Sequence, residues 1–482
     1  MKIKDYIYPQ RMRTSSKKNR DLAEEFYSDK SRIIFSSSFR RLMQKTQVFS
    51  LEENNSVRNR LTHSLEVADV GRFLARKVGT LLLSKSNIEI TQEDIECMQA
   101  IVGNACLMHD IGNPPFGHFG EQAIKEWFTM HFPKDLQEEL PLELSKNNKN
   151  DDYLFQLKNF DGNPQGFRIA TKLHTEEGLG AIGRNSWNLT ASTLLATIKY
   201  PTCREISDDG IRYKKIGFFK SEEEIYKKLC KMTGHNEGKH YFLKYLMEFA
   251  DDICYCLSDI ADALEIRLID KRHLIDLLKV ELKREGVNQN VIDNLLPKEE
   301  IFNFQRQVAI NISNESVEQA AEYFCDHIDD FISGKANELI KEIDAGKILK
   351  GVKSFVRKHI YTSPEVQQIE IAGHKIVHGL LDHYSCLLNI TRKDFEFFYE
   401  RKYKDGKTEM KGLDFEWRVF NQLSKRMLDC YCEEVSSMNV DSKLYEKYAR
   451  CQLIIDYISG MADQSALTFY QNVSGIRLDN IR

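Results

Sequence analysis

No apolar run in this 482-residue chain approaches the roughly 18 residues of a membrane-spanning helix, which excludes that class of protein. The opening stretch, MKIKDYIYPQRMRTSSKKNR, is basic and lacks the apolar segment that heads a secretory signal. Eleven cysteines are present, an odd number, and none is spaced as CxxC. That pattern speaks against a disulfide framework or a zinc ribbon and predicts reduced core thiols in a cytoplasmic protein. Prolines number only nine. Strand-like alternation is scarce, IRYKKIGFF (211–219) being the best candidate, as one side of a small hairpin arm. The formal net charge of −4 argues against a general nucleic-acid coat protein.

Helical periodicity is abundant. Leu74, Val78, Leu81 and Leu82 form one apolar stripe, and Phe249, Ile253, Leu257, Ile260 and Leu264 another. The expected fold class is mainly α, a helical core with the small β-hairpin arm and additional C-terminal helices. Polar stretches at 133–152 and 284–300 read as a loop and a charged connector. Three regions are expected: a basic N-terminal arm with the first helices (1–48), a helical core (49–270) and a C-terminal helical region (271–482). Residues 1–45 carry twelve Lys and Arg against five Asp and Glu, including Arg11, Arg13, Lys17, Lys18 and Arg20. Such an arm suits a polyanion, an acidic neighbouring subunit or plain solvation.

The densest chemistry lies in HDIGNPPFGHFGE (109–121). The apolar helix before it must end at Gly112 and Pro114-Pro115, which leaves His109 and Asp110 at a helix C-terminus beside an irregular loop. Imidazole and carboxylate together suit Mn²⁺, Fe²⁺, Co²⁺ or Zn²⁺. Further along, His118 and Glu121 are three residues apart, where a helix can begin, and such a pair is a standard acid/base unit. Arg60 precedes His63 by three residues and shares its helix face. Asp251, Tyr255 and Asp259 recur at i, i+4 and i+8 on a face opposite the apolar stripe, which fits a helix lining a wet cleft.

His63, then His109-Asp110, then a distant aspartate is the order of the HD superfamily, which this chain resembles. The words FRRLMQKTQVF (39–49), NRLTHSLEV (59–67), NFDGNPQGFR (159–168), YPT (200–202), KIGFFKSE (215–222) and ADDICY (250–255) make the resemblance closer. With the 109–121 word they are similar, in order, to those of bacterial deoxyguanosine triphosphate triphosphohydrolases. Weaker likeness continues in SPEVQQIEIAGHKIVHGLL (363–381) and YISGMADQSALTFY (457–470), where Ala462-Asp463-Gln464-Ser465 replaces a frequent Thr-Asp-Arg-Tyr.

The resemblance implies an HD-domain core and a divalent metal, with Mg²⁺ added to the candidates. It places the ion on His63, His109, Asp110 and Asp251, choosing Asp251 over Asp252 by register. It implies hydrolysis of a deoxynucleoside triphosphate, dGTP above all, to deoxynucleoside and inorganic triphosphate, with His118 and Glu121 moving the proton. Arg60, His174 and Lys215 would meet the phosphates. Tyr255 would pack on C2′ of the sugar, and Gln47 and Asp259 would bond its 3′-hydroxyl. Single-stranded DNA or a regulatory nucleotide, and a homo-oligomer (hexamer or tetramer), are the implied partners. Two other readings share the motif: another HD nucleotidase or phosphodiesterase, and a nucleic-acid-binding regulatory protein with a vestigial site.

Overall fold

Helical periodicity and local capping together account for most of the chain in the computed structural model. It describes all residues except 16, 18, 132–152, 174–186, 206–214, 297–303, 404–411, 438–442 and 478–482. The helices that matter below are α1 (Leu22–Ile34), α2 (Arg60–Leu83), α3 (Gln92–Met108), α4 (Gly117–His131), α5 (Gly162–Thr171), α6 (Ala191–Thr197), α7 (Lys244–Glu265), α8 (Lys271–Arg284), α9 (Ala345–His359) and α10 (Pro364–Tyr384). No described helix is long and apolar enough to cross a membrane.

The chain folds into two units, each assembled from three segments. The first comprises Met1–Asp110, Asn188–Pro201 and Tyr226–Ile369; the second comprises Ile111–Trp187, Thr202–Ile225 and Glu370–Arg482.

In the first unit α3 is the central helix. Every residue from Ala100 to Met108 is buried, so this part of the helix needs neighbours all round. α1, α2, α6 and α7 supply them. Reciprocal capping boxes start both α2 (Asn59 with Thr62) and α3 (Thr91 with Asp94), satisfying N–H groups that would otherwise lack partners. Gly71 lets α2 approach closely: a Cβ there would lie 2.6 Å from Cys106 Sγ on α3 and 3.5 Å from Ala250 Cβ on α7. This pinch draws together the three elements that carry His63, His109 and Asp251.

The basic arm is folded into the first unit. The Arg11 side chain is only 5 % exposed and pairs with Asp29 (2.6 Å) and Glu25 (2.7 Å), while Asp29 also accepts from the Thr190 amide (3.0 Å) and hydroxyl (2.6 Å). A fully buried Asp29 requires such compensation. Arg11 is thus a structural tie between the arm, α1 and the segment before α6, and not a polyanion contact.

The second unit centres on a buried ion network. Arg168, on α5, bonds Asp456 (2.9 Å), Glu434 (2.7 Å) and Glu222 (2.9 Å), all of them buried, and Lys172 joins through Glu434 (2.7 Å). These contacts fix α5, whose N-terminus bears on the chemistry below.

The expected β-hairpin arm is not found: among the described residues there are no strands, only three isolated bridges. Residues 211–214 of that expectation lie outside the described residues. Residues 215–219 form an irregular loop in which Ile216, Phe218 and Phe219 are all buried. Phe218 packs near Phe167 and Phe219 stacks on Phe160, so adjacent rings point into the same core. A ribbon would have sent them to opposite faces. The expected loop at 133–152 also lies outside the described residues. The charged connector at 284–300 contains a short helix, Gln289–Leu295. All eleven cysteines are free thiols.

Candidate active site

In the first unit, His63, His109 and Asp251 bring one ligand atom each to within 4.8 Å of one another, from α2, the end of α3 and α7. His63 Nε2 and His109 Nε2 both lie 3.4 Å from Asp251 Oδ1. The two imidazole rings sit edge to face, 5.4 Å apart between centroids. His109 caps α3 and its Nδ1 donates to the Cys106 carbonyl at 2.7 Å. That bond assigns the proton to Nδ1 and leaves a lone pair on Nε2. His109 Nε2 is buried and makes no hydrogen bond, nor does His63 Nδ1. Two imidazoles and a carboxylate, with one nitrogen lone pair buried and unsatisfied, fit a divalent transition metal.

Asp110 stands beside this trio. Its Oδ2 is 2.8 Å from Arg60 Nη1 and 3.5 Å from His109 Nε2. Burial opposes ionisation of Asp110, but the Arg60 guanidinium leads the charges that outweigh it and hold the carboxyl well below the usual range. Asp251 is likewise held well below the usual range against its burial, with the Lys199 ammonium 3.2 Å from its Oδ2. Asp252, one residue on, pairs with Lys353 instead, and burial pushes its carboxyl up to about 6.

Two groups in this unit were not singled out by sequence reasoning. Lys199, just beyond α6, places Nζ 3.2 Å from Asp251 Oδ2; its only signal was its place directly before the YPT word. Tyr361, two residues before SPEVQQIEIAG, donates its hydroxyl to Asp259 Oδ2 at 2.5 Å and bonds the Tyr255 hydroxyl. Asp259 is fully buried, not solvated, and burial pushes its carboxyl up to about 7. Tyr255, Asp259 and Tyr361 line a cavity of ≈ 430 Å³ together with Lys350, Lys353 and Arg357 from α9. Gln47 presents a buried side-chain oxygen with no hydrogen-bond donor, the kind of group a ligand satisfies.

The second unit holds the other expected chemistry. Phe116 and Gly117 both adopt positive φ (61° and 54°) where the loop turns into α4. The Phe116 amide donates to Asp463 Oδ1 at 3.0 Å, so the aspartate of the tail word braces this turn. His118 Nδ1 lies 3.1 Å from Glu121 Oε2, with the imidazole 77 % exposed and the carboxylate 6 % exposed. Glu121 Oε1 accepts from the Gly162 amide at 2.8 Å, at the start of α5. Asp161, the N-cap of α5, is buried and takes Lys215 Nζ at 2.6 Å. Burial opposes ionisation of Asp161, and Lys215, joined by hydrogen bonds from Asn163, more than offsets it. The N-terminus of α5 therefore organises both the His118–Glu121 pair and Lys215. His174 lies outside the described residues.

Comparison with known proteins gives this chemistry a family. An HD domain matches residues 60–181, the span that carries His63, His109 and Asp110. Over 509 aligned positions the chain is 34 % identical to deoxyguanosinetriphosphate triphosphohydrolase of Salmonella typhimurium, covering 98 % of this chain and 97 % of that protein. The enzyme of the same name from Salmonella typhi gives the same identity and coverage. That of Cronobacter sakazakii is 34 % identical, with 95 % of each chain covered. Likeness of this extent, running through helices, loops and tail alike, assigns the chain to the deoxyguanosinetriphosphate triphosphohydrolase family of HD-domain proteins.

Proposed function

We propose that this chain is a metal-dependent cytoplasmic hydrolase of deoxynucleoside triphosphates, with dGTP the preferred substrate and deoxynucleoside and intact inorganic triphosphate the products. The observation that carries this reading is the convergence of His63, His109 and Asp251 within 4.8 Å. These three, with Asp110 as a fourth, would hold a divalent ion; Mn²⁺, Mg²⁺, Fe²⁺, Co²⁺ and Zn²⁺ are the candidates. When bound, such an ion supplies Lewis-acid polarisation of the α-phosphate and acidity to a water.

The chain's own residues do the rest. Arg60 orients Asp110 and adds positive charge, and Lys199, Lys215 and His174 add more against a substrate of about four negative charges. His118 moves a proton at its exposed Nε2, while Glu121, held by the Gly162 amide, steadies the ring and balances its charge. Asp259 and Gln47 take the 3′-hydroxyl, and the Tyr255 ring fills the space of a 2′-hydroxyl. Assembly as a homo-oligomer (hexamer or tetramer) and a response to single-stranded DNA or a regulatory nucleotide belong to the same reading.

The test is turnover of the four dNTPs, singly and mixed, with each metal in turn and both products identified. Inorganic triphosphate from dGTP is expected. Pyrophosphate or a nucleoside monophosphate as product would replace this reading with a different HD phosphohydrolase.

A further inference from the structure

The tail word YISGMADQSALTFY (457–470) has no task in the reaction proposed above. Within the second unit, this word and the residue before it reach back to both supports of the His118–Glu121 pair. Asp456 lies on the helix Lys443–Ser459 and takes Arg168 Nη2 at 2.9 Å and Gln165 Nε2 at 2.8 Å, both from α5. α5 in turn offers the Gly162 amide to Glu121 Oε1. Asp463 opens the helix Asp463–Val473 and accepts from the Phe116 amide at 3.0 Å. Phe116 directly precedes α4, and His118 is the second residue of that helix.

Phe116 is held at two points. Its φ of 61° lies in the left-handed region, which a residue with a bulky side chain rarely adopts. Such a conformation persists only where its surroundings impose it. The amide is fixed by Asp463, which is buried. The ring is fixed by α10, where Gly373 leaves room for it: a Cβ on Gly373 would lie 2.5 Å from Phe116 Cγ and 2.6 Å from Phe116 Cβ. A further close approach sets the first turn of α4, since a Cβ on Gly120 would lie 2.1 Å from the Pro115 carbonyl oxygen. These contacts leave the turn little freedom. His118 depends on that more than Glu121 does. Its imidazole is largely exposed, and among the described residues its ring bonds only Glu121. With so little of the ring packed, the direction in which α4 leaves the turn sets where Nε2 points.

We propose that Asp463 and Gly373 are positioning residues for the reaction: they hold the Phe116–Gly117 turn in its left-handed form and so aim the His118 imidazole. The inference rests on the reading of His118 as the group that moves the proton. Neither residue belongs to the groups assigned above to the phosphates or the sugar. Their loss should therefore appear in kcat and not in KM.

The experiment is a double-mutant cycle on dGTP turnover by the metal-loaded full chain. Asp463→Ala removes the acceptor, and Gly373→Ala pushes on the Phe116 ring. Each should lower kcat by about tenfold, with KM within about twofold of wild type and metal content unchanged. Asp463→Asn keeps an acceptor oxygen and should recover most of the loss. In a His118→Ala background neither substitution should cost more than about twofold further, because the group they aim is gone. Gly373→Ala carries the test if Asp463→Ala does not fold. The same tenfold loss in both backgrounds would mean that the tail supports the fold in general without aiming His118, and the proposal would fall. It would also fall, with the reading of His118 intact, if His118→Ala were crippled while Asp463→Ala and Gly373→Ala kept wild-type kcat. A near-normal kcat in His118→Ala would remove that reading itself, and this inference with it.

Discussion

His109 and His118 lie nine residues apart and use the same device. Each ties Nδ1 to an acceptor and so presents Nε2. Their surroundings then diverge. His109 donates to a neutral carbonyl, is nearly fully buried and makes no hydrogen bond at Nε2. His118 pairs with a carboxylate and is 77 % exposed. A carbonyl partner places a proton on Nδ1 and so leaves Nε2 to face a metal. A carboxylate partner balances the charge that arises when the ring takes up a proton, and exposure gives that proton a way in and out. On the proposed reading, one local geometry serves two chemistries, distinguished by acceptor type and burial.

The largest effect should come from breaking the first half of this comparison. His109→Ala removes a ligand that the buried site cannot replace with solvent. Turnover should fall to background, and bound metal, read by elemental analysis, should be lost while helical circular dichroism persists. Full metal occupancy in this variant would exclude His109 as a ligand.

Next in size is the second half. His118→Ala should lower kcat by about 10²-fold with metal content unchanged. Glu121→Gln leaves an acceptor for the Gly162 amide but removes the balancing charge, so kcat should again drop, by less than in His118→Ala. A near-normal kcat in both variants would take this pair out of the chemistry.

Much of the site is legible in the sequence itself. His109 and Asp110 are marked locally, by a helix end and a Pro-Gly loop, whereas His63 and Asp251 are reached only through the order and register of the family resemblance. The three-helix convergence depends on Gly71, whose importance lies in what faces it and not in its neighbours in sequence. The arginines of the N-terminal arm look alike in sequence. Only packing distinguishes Arg11, paired with Asp29, from an arm in solvent. IRYKKIGFF misleads because, in its described part (215–219), isoleucine and phenylalanine serve an irregular buried loop as well as they would a strand. Lys199 and Tyr361 escape notice because each takes its role from a partner more than 50 residues away in the chain.

A smaller effect is expected on sugar choice. The proposed gate is the Tyr255 ring, whose hydroxyl is held by Tyr361. Excluding one hydroxyl, or burying it without a partner, is worth about 1–3 kcal/mol. Tyr255→Ala should therefore raise the GTP to dGTP ratio of kcat/KM by about tenfold or more. An unchanged ratio would mean the gate lies elsewhere.

The last test is on stability and not on turnover, and it puts the burial argument to a carboxylate. Asp259 is fully buried and its acidity is suppressed, to about 7 from an ordinary 3.8, chiefly by burial. The folded state therefore holds this proton more tightly than the unfolded state does. With the sign worked through, the contribution to stability is greatest below pH 4, declines as pH rises from 4 to 7, and is level above that. The total decline is on the order of 4 kcal/mol. Asn at this position still accepts from the Tyr361 hydroxyl but cannot ionise. Asp259→Asn should match wild type in Tm near pH 4 and exceed it at pH 8, so the two melting profiles should diverge across that window. Asp252, pushed up to about 6, adds its own slope to both proteins and cancels in the difference. Parallel profiles from pH 4 to 8 would mean that Asp259 ionises as readily in the folded chain as in the unfolded one, and that a bound cation or water compensates its charge.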